Sequence, residues 1–67
     1  MKYQIYAKNG SMITQFESDW AFKENEQIFM QFEYEKRNFH IIRITHDLYS
    51  PKEHIVRLYC QEKKVYE

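Results

Sequence analysis

The stretch Gln27-Ile28-Phe29-Met30-Gln31-Phe32-Glu33-Tyr34-Glu35 decides the fold. Ile28, Met30, Phe32 and Tyr34 share one parity and Phe29, Gln31, Glu33 and Glu35 the other, which is the alternation of a strand with one buried face. Downstream, Lys36-Arg37-Asn38 reads as a short polar turn and Phe39 to Leu48 as the next strand. That strand changes parity part-way, with Phe39 and Ile41 on one face and Ile42 and Ile44 on the other. A β-bulge near Ile42-Arg43 would swap the faces and is therefore expected. Tyr49 to Glu53, with Pro51 early in it, reads as a turn, and His54 to Glu62 as the last strand, with Val56, Leu58 and Cys60 facing inward.

Upstream, Lys2 to Lys8 alternates Tyr3, Ile5 and Ala7 against Gln4, Tyr6 and Lys8. Asn9-Gly10 follows, a pair that accepts the positive φ angles of a type I′ hairpin turn. Met12 to Glu17 then returns, with Met12, Thr14 and Phe16 on one face. Ser18 to Glu26 lacks any such period and reads as a long loop, in which Ser18 or Asp19 could cap one helical turn carrying Trp20, Ala21 and Phe22. The expectation is one all-β domain over residues 1–67, a five-stranded antiparallel small barrel of SH3-like form, with an OB-like barrel or an open meander sheet as the alternative. Its expected core is Ile5, Phe16, Ile28, Met30, Phe32, Phe39, Ile41, Ile44, Val56 and Leu58.

Two segments carry a family resemblance. Asp19-Trp20-Ala21-Phe22-Lys23-Glu24-Asn25-Glu26-Gln27-Ile28 and Phe39-His40-Ile41-Ile42-Arg43-Ile44-Thr45-His46 resemble small uncharacterised SH3-like β-barrel proteins of bacterial and phage genomes. In those proteins a Pro-x-x-Gly-Glu-x-Ile run enters a strand, and an aromatic-x-Val-x-x-Val-x-His strand follows. This chain has Phe22 in place of the proline and Asn25 in place of the glycine. Asn tolerates left-handed φ, so the turn can survive the exchange. The resemblance implies a small barrel and carries no catalytic residues.

Composition narrows the function. Hydrophobic residues make up 43% of the 67 residues and aromatics 18%, far from the composition of a disordered chain. A domain this small has one thin core and no volume for a deep cofactor pocket, so no cofactor is expected. Ten basic residues balance ten acidic ones, a formal net charge of zero that disfavours nucleic acid as a partner without excluding it. A lone Cys60 forms no internal disulfide. No stretch has the length of an apolar membrane span, and Met1 to Ile5 lacks the apolar run of a signal peptide, so no membrane is expected as partner and the expected compartment is the cytoplasm.

Sites for chemistry are sparse. His40, His46, His54 and Cys60 lack the close spacing of metal ligands and read as rim histidines and a buried thiol, so no metal is expected. His46 and Asp47 are strand neighbours and point to opposite faces, which separates them as a catalytic couple. No phosphate loop or nucleophile elbow is present, and no enzyme activity is expected. The aromatic excess is the informative feature. Tyr6, Trp20, Phe29, Tyr49 and Tyr59 fall on outward or loop positions, and Tyr and Trp are the side chains that carry interface energy. The leading expectation is a non-catalytic protein-binding module acting through these aromatics and an unpaired strand edge, its partner a host factor of a phage or mobile element or a second copy in a homodimer. The alternative is single-stranded nucleic-acid binding, with Tyr6, Phe29 and Tyr59 beside Lys8, Arg43 and Arg57, opposed by Glu17, Glu33 and Glu35.

Overall fold

Alternating apolar residues become strands wherever they occur in the chain. The computed structural model describes residues 1–65 and contains β1 (Lys2–Tyr6), β2 (Met12–Glu17), β3 (Gln27–Phe32), β4 (Glu35–Ser50) and β5 (Glu53–Lys63). They form one curled sheet in the order β2-β1-β5-β4-β3, a half-barrel whose free edges are β2 and β3. The expected strand pairing is corrected at one seam. β1 lies parallel to β5, with Tyr3 opposite Val56 and Ile5 opposite Leu58, while every other pair is antiparallel. The order also differs from an open meander, because a β1–β2 hairpin and a β3–β4–β5 meander meet along that parallel seam. Both strands at the seam carry almost fully buried side chains, as β4 does, and local alternation encodes that burial without encoding its partner.

The core consists of Tyr3, Ile5, Phe39, Ile41, Val56, Leu58 and Cys60, all almost fully buried. Ile13, Phe16, Phe22, Ile28, Met30, Phe32 and Ile44 pack around it. Every expected core residue is in this set, and those of β3 are only half-buried because β3 is an edge. The bulge lies where the parity changes: Ile41 pairs with Cys60 and Arg43 with Tyr59, leaving Ile42 as the extra residue, so that Ile44 returns to the inner face. On β2 a second bulge between the Ile5 and Tyr6 partners leaves Ile13 extra. Ile13 therefore packs on the core, and Met12, read from the sequence on the same face as Phe16, is exposed.

Three turns refine the sequence reading. At Asn9-Gly10 only Gly10 is left-handed, at φ 92°, which replaces the type I′ turn with a longer connection. Gly10 N–H donates to the Ala7 carbonyl at 2.9 Å and Ala7 N–H to the Ser11 carbonyl at 2.8 Å, with Gly supplying the left-handed step into β2. Asn25 takes φ 74°, so it does serve in the glycine-like position of its segment. The β3–β4 turn lies at Glu33-Tyr34 rather than Lys36-Arg37-Asn38, with Phe32 opposite Glu35 and Glu33 at φ 34°. Lys36, Arg37 and Asn38 belong to β4, where they pair with Gln31, Met30 and Phe29 of β3 and where Arg37 and the Asn38 amide nitrogen find tertiary partners. Arg37 Nε and Nη2 donate to Glu62 Oε2 and Oε1 at 2.8 and 2.6 Å, and Asn38 Nδ2 donates to the Lys64 carbonyl at 3.3 Å from a fully buried position.

Ser18 to Glu26 contains no helical turn. Ser18 Oγ caps nothing longer than a bend, accepting from Trp20 N–H at 3.0 Å. The loop instead closes the open side of the half-barrel. Phe22 meets Tyr3 edge-on at 4.9 Å and Phe16 at 5.9 Å, and Tyr3 Oη donates to the Trp20 carbonyl at 2.5 Å. Among the described residues, no helix is long and apolar enough to cross a membrane.

Candidate functional site: the β3 edge and the outer face

A sheet that curls without closing leaves two edges, and the sequence treats them differently. β2 carries the Ile13 bulge and ends on Glu17, devices that interrupt a regular row of outward backbone groups. β3 is Gln-Ile-Phe-Met-Gln-Phe, with no charge, no proline and no bulge. Such a segment has the composition that pairs most readily with another strand.

The β3–β4 ladder fixes which groups face outward. Ile41 N–H donates to the Glu26 carbonyl at 2.9 Å, so the pairs that exchange hydrogen bonds are those in step with it: Ile28 with Phe39, Met30 with Arg37 and Phe32 with Glu35. The N–H and C=O groups of Gln27, Phe29 and Gln31 therefore point to the free edge. Their side chains lie on the outer face, where Phe29 is 48% exposed and Lys36 Nζ sits 5.5 Å from its ring centre. Ile28 and Met30 lie on the inner face and are only half-buried.

The other aromatics singled out from the sequence divide into two kinds. Tyr6 on β1, Tyr59 on β5 and Arg43 on β4 are direct cross-strand neighbours and form one row across the outer face. The two Tyr rings stack at 5.4 Å, and the Arg43 guanidinium lies 4.5 Å from the Tyr59 centre. Tyr59 is thus flanked on both sides, and Arg57 lies 5.8 Å from Tyr6. Arg57 is in turn ion-paired to Asp47, and its Nη2 donates to Tyr49 Oη at 3.3 Å. Tyr6, Tyr59, Arg57 and Asp47 are half-buried in this lattice, and its stacking and cation–π contacts are made within the sheet. Trp20 and Tyr49 are exposed, Trp20 on the closing loop and Tyr49 at the far end of β4. No single patch gathers all five residues.

The acidic residues weighed against nucleic acid stand apart from the Tyr–Arg row: Glu33 lies in the β3–β4 turn, Glu35 begins β4, and Glu17 ends β2. Beside the row, Ile42, pushed out by its bulge, and Ala7 line a shallow groove with Lys8, Arg43, Tyr59 and Cys60. Cys60 itself is 1% exposed, and burial pushes its thiol up to about 11, which keeps it protonated and inert.

His46 and Asp47 do face opposite ways. Asp47 pairs with Arg57 on the outer face, whereas His46 Nδ1 meets His54 Nε2 at 2.8 Å on the inner one. That imidazole pair was not legible from sequence spacing, because only the β4–β5 register, which sets His46 opposite Val56 and Leu48 opposite His54, makes the two histidines diagonal neighbours. Among the described residues, no group of three or more His, Cys, Asp or Glu is placed to hold a metal ion. The missed element is the β3 edge itself: the sequence shows a strand from Gln27, but neither its end at Phe32, which leaves Glu33 and Glu35 outside it, nor its place at the margin of the sheet. Comparison with protein-family models, curated proteins and solved structures returns no match to this chain.

Proposed function

We propose that the chain is a non-catalytic protein-binding module that captures an extended segment of its partner along the free edge of β3. The observation that carries this reading is the regular outward row of N–H and C=O groups at Gln27, Phe29 and Gln31 on an edge with no charge, proline or bulge to guard it. Main-chain bonds to that row supply affinity, and the half-exposed Phe29 on one face, with Ile28 and Met30 on the other, supplies side-chain selection. The resemblance of the Asp19–Ile28 and Phe39–His46 segments to small SH3-like proteins of bacterial and phage genomes fits the same reading, with a host factor or a second copy as partner and the cytoplasm as the place of encounter. Single-stranded nucleic acid is the weaker reading, since the net charge is zero and Tyr59 is already flanked on both sides.

Gln31→Pro tests the proposal. It removes an outward N–H that β4 does not use, a substitution an edge strand tolerates. Affinity capture from the native host with the parent and the variant, compared quantitatively, should show selective loss of the parent's partner while circular dichroism stays unchanged. A folded variant that captures the same proteins in the same amount refutes the edge as the binding element.

A further inference from the structure

The β3 edge is complementary to itself, and we infer that its occupant is a second copy of this chain, joined antiparallel through β3 with Phe29 opposite Phe29 to make one continuous sheet. The inference rests on the edge reading above and goes further by naming the partner and the register.

In an antiparallel pair, residues directly opposite lie on the same face, and hydrogen-bonded pairs form only between residues whose backbone groups point across the gap. On β3 these are Gln27, Phe29 and Gln31. A two-fold axis at Phe29 sets Phe29 against Phe29 and Gln27 against Gln31, so that all three residues of each strand are satisfied. Moving the axis to Met30 opposes Phe29 to Gln31 and carries Gln27 beyond the end of the strand to Glu33, which sits in the turn at φ 34°. Moving it to Ile28 leaves Gln31 opposite Asn25, which is left-handed at φ 74° and whose own N–H is bonded to the Ile41 carbonyl. The Phe29-centred register therefore uses the edge most fully.

The same register suits the side chains. On the inner face Ile28 meets Met30 of the second copy, covering side chains that one half-barrel leaves half-buried. On the outer face the two Phe29 rings meet at the axis, each with its own Lys36 alongside, and carboxamides oppose carboxamides at Gln27 and Gln31. No like charges are brought together within the strand, and the zero net charge of each copy places no long-range repulsion between them. The assembly also closes. A two-fold contact consumes both β3 edges, and the edges left at its ends are the bulged β2 strands, which discourages growth into a fibre.

The register predicts a charge rule that backbone changes do not confuse. Replacing both Gln27 and Gln31 by Lys places Lys against Lys across the interface, whereas Gln27→Lys with Gln31→Glu places Lys against Glu. Sedimentation equilibrium of the purified chain over a dilution series should show a dimer for the parent. The double-lysine variant should dissociate at least ~10-fold more readily, and the Lys/Glu variant should return to within ~3-fold of the parent, all at low salt. A parent that is monomeric at every concentration overturns the inference, as does a double-lysine variant that dimerises as well as the Lys/Glu one. Failure here is distinguishable from failure of the edge reading. A monomeric parent whose captured partner is lost on Gln31→Pro leaves a foreign strand at the edge, while a partner retained on Gln31→Pro removes the edge from binding altogether.

Discussion

Phe22 should behave as a core residue although it lies in a loop. Its ring is edge-on to Tyr3 at 4.9 Å and 89°, and to Phe16 at 5.9 Å and 86°, on the side where the half-barrel fails to close. Burying a whole aromatic side chain contributes about 1.5–3 kcal/mol, and Phe22 is half-buried, so Phe22→Ala loses about 1 kcal/mol of transfer energy. Each edge-to-face pair adds about 0.5–1.5 kcal/mol. The expected loss is about 2–4 kcal/mol, a large share of the roughly 3–10 kcal/mol that a domain of this length commands. Urea unfolding followed by circular dichroism should show the midpoint fall with the slope m unchanged. Phe22→Leu, which restores apolar contact without the ring geometry, should recover about half the loss. A Phe22→Ala change below about 0.5 kcal/mol would refute the claim that the Ser18–Glu26 loop is a wall of the core.

Glu33→Gly should raise stability by about 1 kcal/mol, because φ 34° strains a side-chain-bearing residue in the two-residue β3–β4 turn, and an unchanged melting temperature would count against that turn. Cys60 should resist alkylation at pH 8 in the native protein and react at once in urea; its thiol lies well above the usual value only when folded, so stability should also fall as pH rises from about 9 to 11. Glu62 is held below the ordinary carboxylate range, chiefly by the hydrogen bond from Arg37, so its contribution is present near neutrality and lost as pH falls through the folded value. The pair is partly solvent-exposed, at 26% and 40%, so Glu62→Gln should cost no more than about 1 kcal/mol and should flatten the acid limb of a stability–pH profile.

What the sequence disclosed and what it hid follow from the range of each signal. Parity is local, so the change of face at Ile42 announced its bulge, and the inward sets on β1 and β5 stood out as core. Left-handed tolerance is also local, and it placed Gly10 and Asn25 correctly even where the turn type differed. The Glu33-Tyr34 turn was masked because the alternation of Ile28, Met30 and Phe32 runs on through Tyr34, while Lys36-Arg37-Asn38 looks polar only until Glu62 and the Lys64 carbonyl are brought beside it. Strand order has no local signature at all. The parallel β1–β5 seam, the edge position of β3 and the Tyr6–Tyr59–Arg43 row all depend on it. Outwardness could therefore be read for each aromatic, but not which of them the sheet would use up internally.

The parallel seam also governs when the chain can fold. β1 and β2 can form their hairpin as soon as both exist, but a lone two-stranded hairpin is at best marginally stable in water. The residues that would hold it, Val56 and Leu58 opposite Tyr3 and Ile5, are synthesised well after β2, beyond β3 and β4. During translation, at about 5–20 residues per second, the N-terminal hairpin must wait several seconds with Tyr3, Ile5 and Phe16 uncovered before β5 leaves the ribosome. Folding is then a single late event that joins distant parts of the chain, the topology for which loop closure is slow. A pause introduced by rare codons before His54 would lengthen that exposure, leaving the nascent hairpin to chaperones or to other nascent copies.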